Sequence, residues 1–229
     1  MTNFGGAPFP TTMWTMVLGA GRAEAGSART NLERLVERYW APVHAYVTAL
    51  VRHTRDDAED ITQAFFTRLL ERRDLEKVDP ELGSFRGYLK RAVRNFVIDV
   101  MRRDEAHGTP VALVEGDAAE QPGPEQVFDH EWDSVVCQAA IGELEQRMRL
   151  SGAGHCFDAF RAYCLEQDGD GRHKTYREVG ERLGLTESTV RQHLERCRAQ
   201  LREILWNKIR EYVDDESEVR AEFRRLMAG

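Results

Sequence analysis

The sequence has no run of the roughly 18 apolar residues that a membrane-spanning helix needs. Its start lacks a basic stretch leading into an apolar core. No secretory signal and no membrane insertion are expected, which places the chain in the cytoplasm. Cysteine is scarce: Cys137, Cys156, Cys164 and Cys197 form no CxxC pair, and no histidine stands at a zinc-like spacing beside two of them. The expectation is four reduced, mostly buried thiols, with zinc binding a distant alternative and no metal or cofactor assigned. The seven histidines show no HExxH spacing, and there is no glycine-rich phosphate loop. Glu59 and Asp60 are adjacent acids, but neighbours on a helix diverge by about 100°, so the pair cannot share a substrate. No strand pattern and no internal repeat is found. These absences argue against catalysis by this chain alone.

What is present is uneven charge. The formal net charge is -7, yet basic and acidic residues are segregated. Residues 84–107 and 172–211 are net basic, whereas 109–136 hold acids and no Lys or Arg. Basic islands on an acidic whole give local attraction for nucleic acid and overall repulsion, so isolated binding to DNA should be weak.

The apolar pattern is helical throughout. Leu32, Leu35, Val36, Tyr39, Trp40, Val43, Tyr46, Val47 and Leu50 recur at three- and four-residue steps from Ala28 onward, with Pro42 expected to kink or divide that helix. A second helix starts near Asp56 and presents Ala58, Ile61, Phe65 and Leu69 to a core. A third runs from Ser84, a plausible N-cap, to about Arg103. Residues 106–124, with Gly108, Pro110, Gly116 and Pro122 among acids and alanines, read as a flexible linker. Helices resume at about Glu125–Leu150 and Phe157–Gln167, followed by a last unit from Thr175 to about Tyr212. The expected architecture is all-α: an extension over 1–27 around a short helix at Thr12–Leu18, a helical bundle over 28–105, the acidic linker, a second helical domain over 125–215, and a tail over 216–229.

The sharpest local signal lies between Lys174 and Arg196. Val179 and Leu183 are apolar on a first helix, Gly184 permits a turn with positive φ, Leu185 plugs the junction and Thr186 can cap the next helix. Val190, Leu194 and Leu201 continue the core side. This is a helix-turn-helix pattern. It leaves Thr186, Glu187, Ser188, Thr189, Arg191, Gln192 and Arg196 on or near the open edge, where Arg suits guanine and Gln suits adenine in a major groove. A plain helical hairpin with a solvated polar face is the bland alternative.

A second signal is the acidic–apolar run Asp57-Ala58-Glu59-Asp60-Ile61-Thr62-Gln63-Ala64-Phe65-Phe66, followed by Gly83-Ser-Phe-Arg-Gly-Tyr-Leu-Lys-Arg-Ala-Val-Arg-Asn-Phe-Val-Ile-Asp-Val-Met-Arg-Arg103. The first run resembles sigma factor region 2.2, and the second resembles regions 2.3 and 2.4. The helix-turn-helix resembles region 4. Their order, with a short linker in place of a third domain, resembles extracytoplasmic-function (group IV) RNA polymerase sigma factors. Phe9-Pro10-Thr11-Thr12-Met13-Trp14 and Arg38-Tyr39-Trp40-Ala41-Pro42 are similar to a subgroup familiar from planctomycetes and myxobacteria. Tyr88 stands where many relatives carry Trp.

The resemblance implies a non-enzymatic subunit that binds core polymerase, recognises promoters and melts DNA. It assigns Asp57, Glu59, Asp60, Ile61, Gln63 and Phe66 to the β′ clamp helices. It assigns Arg86, Lys90, Arg91, Arg94, Asn95, Asp99, Arg102 and Arg103 to the −10 element, and the open edge of the helix-turn-helix to the −35 element. Partners implied are core polymerase (β′ clamp and β flap), promoter DNA and, in many relatives, an anti-sigma factor. Phe85, Tyr88 and Phe96 invite a base-stacking role, but all three fall on the apolar stripe and are expected in the core. Thr62 is a candidate phosphate acceptor. The competing reading is a conventional helix-turn-helix regulator with an N-terminal dimerisation or sensing domain, against which no dimerisation heptad is found.

Overall fold

The computed structural model describes residues 25–51, 55–71, 85–106, 122–167, 171–213 and 215–228. The Thr12–Leu18 helix, the turn before residue 85 and most of the linker lie outside the described residues. Among the described residues the chain is all-helical with no strand, as the apolar periodicity requires. The helices are α1 (Ala25–Leu50), α2 (Arg55–Glu71), α3 (Phe85–Ala106), α4 (Pro124–Leu150), α5 (Gly154–Phe160, continued by a π-helical turn over Arg161–Leu165), α6 (Tyr176–Leu183), α7 (Glu187–Arg210) and α8 (Glu216–Ala228).

The chain forms two compact units. The first takes residues up to Val135 together with Arg210–Ala221; the second takes Val136–Ile209 and Glu222–Gly229. The division thus falls inside α4, whereas the sequence suggested a boundary before it.

In the first unit, Leu35, Tyr39, Val43, Tyr46 and Val47 of α1 are buried, at the three- and four-residue steps of one helical face with the adjacent pair Tyr46 and Val47 at its end. Pro42 does not divide α1, which runs unbroken through it. The ring removes one backbone hydrogen bond, and buried Leu35, Tyr39, Val43 and Tyr46 on both sides of it keep the helix continuous. Phe65 meets Phe96 of α3 edge-on at 5.6 Å, and Trp40 stacks on Phe66 at 5.7 Å. The start of α4 closes this unit. Trp132 lies face to face with Tyr39 at 4.7 Å and 13°, and Phe128 meets Tyr46 edge-on at 5.8 Å. Tyr212 meets Trp132 edge-on at 5.1 Å, and the Arg38 guanidinium sits 5.3 Å from the Trp132 ring centre while pairing with Glu211 at 3.0 Å. Burying rings of this size contributes about 1.5–3 kcal/mol each, before any stacking preference.

In the second unit, Leu144 and Met148 of α4, Phe157 and Phe160 of α5, Val179 of α6 and Val190, Leu194, Cys197 and Ile204 of α7 are buried. The expected C-terminal tail is a helix instead. Asp215 accepts the backbone N–H groups of Ser217 and Glu218 at 2.9 and 3.0 Å, which caps α8. Val219 is buried, in the part of α8 that belongs to the first unit, and in the second unit Phe223 meets Trp206 edge-on at 5.5 Å. The apolar residues stand four apart behind a capping acid, a helical signal that the surrounding charges obscured.

Trp132 is fully buried, and its indole N–H has no partner among the described residues. Trp132→Ala should therefore cost about 3–5 kcal/mol of stability through lost packing. Trp132→Phe, which keeps an aromatic face against Tyr39 and removes an unsatisfied donor, should cost far less. Urea unfolding followed by circular dichroism distinguishes the two.

Candidate nucleic-acid interface

Helix α3 buries one stripe, Phe85, Leu89, Val93, Phe96 and Val97, and turns its cations elsewhere. Arg86, Lys90 and Arg94 are spaced four apart and so share one edge. That edge is occupied by acids from the start of α4. Lys90 Nζ reaches both carboxylate oxygens of Asp129, at 3.1 and 3.2 Å, and Arg86 Nε lies 3.8 Å from the same carboxylate. Arg94 Nη1 pairs with Glu125 at 3.3 Å, and Tyr46 donates its hydroxyl to Glu125 at 3.1 Å. Burial and the Glu125 carboxylate push the Tyr46 phenol above its ordinary range, so it remains a donor. Lys90 Nζ also sits 5.6 Å from the centre of the Phe128 ring.

The next edge of α3 is open. Arg91, Asn95 and Asp99 line a hollow of about 370 Å³ together with Tyr88 of α3 and Arg68 of α2. Arg68 pairs with Asp99 at 3.5 Å and lies over the Phe96 ring at 5.4 Å. The hollow therefore combines two guanidinium groups, an amide and an aromatic edge. Such a set offers hydrogen bonds and a stacking face together.

The second unit carries a well-formed helix-turn-helix. Thr175 caps α6 by accepting from the Glu178 N–H at 3.3 Å, while Glu178 accepts the Thr175 N–H at 2.7 Å, a reciprocal capping box. Gly184 takes φ 68° at the end of α6, a conformation that costs other residues more. Gly180 is needed for a different reason: a Cβ there would meet the Leu185 carbonyl oxygen at 2.6 Å. Thr186 accepts the Thr189 N–H at 3.2 Å and so caps α7. Along the first turns of α7, Glu187, Ser188, Arg191, Gln192 and Arg196 are exposed. The Arg191 guanidinium lies 5.7 Å from the Tyr176 ring centre, which restrains it on that edge.

Residues 35–107 match the Sigma-70 region 2 family, and residues 161–203 match Sigma-70, region 4. The chain carries sigma-70 regions 2 and 4. It is also 32% identical over 151 residues to the ECF RNA polymerase sigma factor SigE of Mycolicibacterium smegmatis, a match that covers 65% of this chain and 52% of that protein. The chain thus spans about half the length of this curated relative.

Within region 2, Glu59, Asp60 and Gln63 are exposed on α2 and Ile61 is half-buried, which leaves a polar edge beside an apolar seam. The Asp57 side chain lies outside the described residues. Phe66 is a correction: it is only 3% exposed, held between Trp40 and Phe65, so it cannot contact a partner. Thr62 is fully buried and donates its hydroxyl to the Ala58 carbonyl at 2.7 Å, which closes it to a kinase. Phe85 and Phe96 are core residues as expected, whereas Tyr88 reaches the hollow. Arg91, Asn95, Arg102 and Arg103 are exposed, while Arg86, Lys90 and Arg94 are paired with α4 acids. Sequence reasoning missed Arg68, a cation in the last turn of α2, because only the packing of α2 on α3 brings it to Asp99. Within region 4, Thr186, Glu187, Ser188, Arg191, Gln192 and Arg196 share the exposed edge; Thr189 is half-buried and bonded to the cap.

Removing the α4 acids should release cations to phosphate. The double change Glu125→Gln, Asp129→Asn is expected to raise the affinity of the free chain for duplex DNA about tenfold at low salt and to steepen its salt dependence. Fluorescence anisotropy across a salt series measures both. A second prediction concerns acid stability. The Arg172 guanidinium, then the Thr175 backbone and hydroxyl, hold the exposed Glu178 carboxyl down to about 2. A folded value below the ordinary 4.5 means its contribution is present above 4.5 and is lost as pH falls toward about 2. Glu178→Gln should flatten that part of the pH–stability curve for region 4, read by urea unfolding at successive pH values.

Proposed function

We propose that this chain is an extracytoplasmic-function sigma factor, of the planctomycete and myxobacterial subgroup, that binds RNA polymerase core and directs promoter recognition, melting and initiation without catalysis of its own. The observation that carries this reading is the order of the two modules. A region 2 with an acidic–apolar helix and a basic helix precedes a region 4 with an exposed recognition edge.

In this reading α2 meets the β′ clamp helices through Glu59, Asp60, Gln63 and the flanking Asp57 and Ile61. Opposite charge on a basic partner would set orientation and speed of docking. The hollow at Tyr88, Arg91 and Asn95 receives an unstacked base of the −10 element, and Arg102 and Arg103 take phosphates. Arg86, Lys90 and Arg94 join them once the α4 acids withdraw. The Glu187–Arg198 stretch enters the major groove at −35. The apolar hollow of about 650 Å³ at Ile141, Leu201, Leu226 and Met227 offers a seat for the β flap. The acidic linker would occupy a basic channel of the polymerase as a nucleic-acid mimic, and an anti-sigma factor would act by covering either module.

Co-elution of the purified chain with bacterial core polymerase, followed by run-off transcription from a genomic fragment library, tests this. Discrete products are expected. In that assay Arg191→Ala or Gln192→Ala should cost about 1–3 kcal/mol at one −35 base for a direct contact, and a uniform loss over all −35 variants would instead mean phosphate contact. Failure to bind core, with a dimer that shifts a palindromic duplex, would favour a conventional regulator.

A further inference from the structure

His155 and Cys156 open α5, and His193 lies on α7, the recognition helix of region 4. No sequence spacing links them. The fold brings one donor atom from each within 4.8 Å of the other two. Cys156 Sγ lies 3.2 Å from His193 Nδ1. The rings of His155 and His193 stand 4.9 Å apart, at 69° to each other. We propose that His155, Cys156 and His193 form a binding site for a thiophilic, zinc-like metal ion that ties α5 to the recognition helix.

The arrangement suits such an ion. Zinc takes Cys sulfur at about 2.3 Å and His nitrogen at about 2.0–2.1 Å in a tetrahedron, which puts neighbouring donors roughly 3.5 Å apart. The Cys156–His193 edge is already at that scale. His155 is exposed, so its side chain can close the remaining gap by a rotamer change without moving the core. Cys156 is buried and His193 is half-buried, which anchors two ligands in a partly desolvated wall and leaves the third at the mouth. The fourth position then faces solvent and takes water.

Burial, then His155 and Arg196, hold the His193 ring below its ordinary value. The ligating form of Cys156 is the thiolate, so its proton leaves to solvent as the ion binds. Cys197, one turn beyond His193, is not among the donors that lie within 4.8 Å of one another.

The position gives the site a consequence. His193 sits directly after Arg191 and Gln192 and before Arg196 on the helix that carries the −35 edge. An ion bridging it to α5 would fix the rotation of that helix on its support. That consequence rests on the sigma-factor reading; metal binding does not.

The test uses the full chain, stripped of metal and kept reduced with a non-thiol reductant, titrated with Co²⁺ as an optical probe and back-titrated with Zn²⁺. A sulfur-to-cobalt charge-transfer band saturating at a single equivalent and erased by Zn²⁺ is expected. Cys156→Ser should remove the band. His155→Ala, an exposed change that leaves the core intact, should weaken Co²⁺ binding by about tenfold or more, and His173→Ala, outside the group of three, should leave it unchanged. Zn²⁺ should raise the thermal midpoint of the native chain and not of His155→Ala. No thiolate band, or equal affinity in the native chain and His155→Ala, overturns the site whatever the outcome of the transcription assay.

Discussion

Two aromatic rings from distant parts of the chain, Tyr39 of α1 and Trp132 of α4, lie face to face in the first unit, and much of region 2 takes its form from that contact. With Trp132 seated, the preceding turns of α4 have one course along α3, and they bring Phe128 to Tyr46, Asp129 to Lys90 and Glu125 to Arg94. The apolar contact sets the register and the ion pairs follow from it. Exposed pairs of this kind contribute little to stability on their own. Their importance lies in what they occupy: the edge of α3 that is otherwise available to phosphate.

Region 4 depends on backbone chemistry more than on large side chains. Thr175 and Thr186 begin its two helices, Gly184 turns the chain between them, and Gly180 lets the Leu185 carbonyl approach α6 closely. With the turn fixed, the exposed face of α7 is fixed as well. Arg191, Gln192 and Arg196 owe their common edge to this turn and to the buried Val190, Leu194 and Cys197 behind them.

The helical class, the turn and caps of region 4, and the core side of each helix could be read from the sequence because they follow from periodicity and from residues with local conformational roles. Gly184 and Thr186 behave as their neighbours alone predict. What escaped was set by contacts between distant segments. Phe66 belongs to an acidic–apolar run that looks like a docking edge, but Trp40 takes it into the core. Pro42 was expected to kink or divide α1; it does not divide it, and the core on both sides of it is invisible in one dimension. The helix after Asp215 was hidden by its charges, although Val219 and Phe223 keep helical spacing. The pairing of the α3 cations with α4 and the meeting of His155, Cys156 and His193 have no local signature at all. Of the candidate site, the exposed edge of α7 was legible, while the state of the α3 edge was not.

The acids on that edge belong to the same chain as the cations they cover. Their effective concentration is set by the docking of α4, so dilution does not loosen them, in contrast to a separate inhibitor that dissociates as its concentration falls. A few molecules and many molecules of this chain would therefore be equally covered. Phosphate can compete for the partly exposed cations where they stand, whereas withdrawing the acids together means giving up the aromatic seat of α4 at Tyr39.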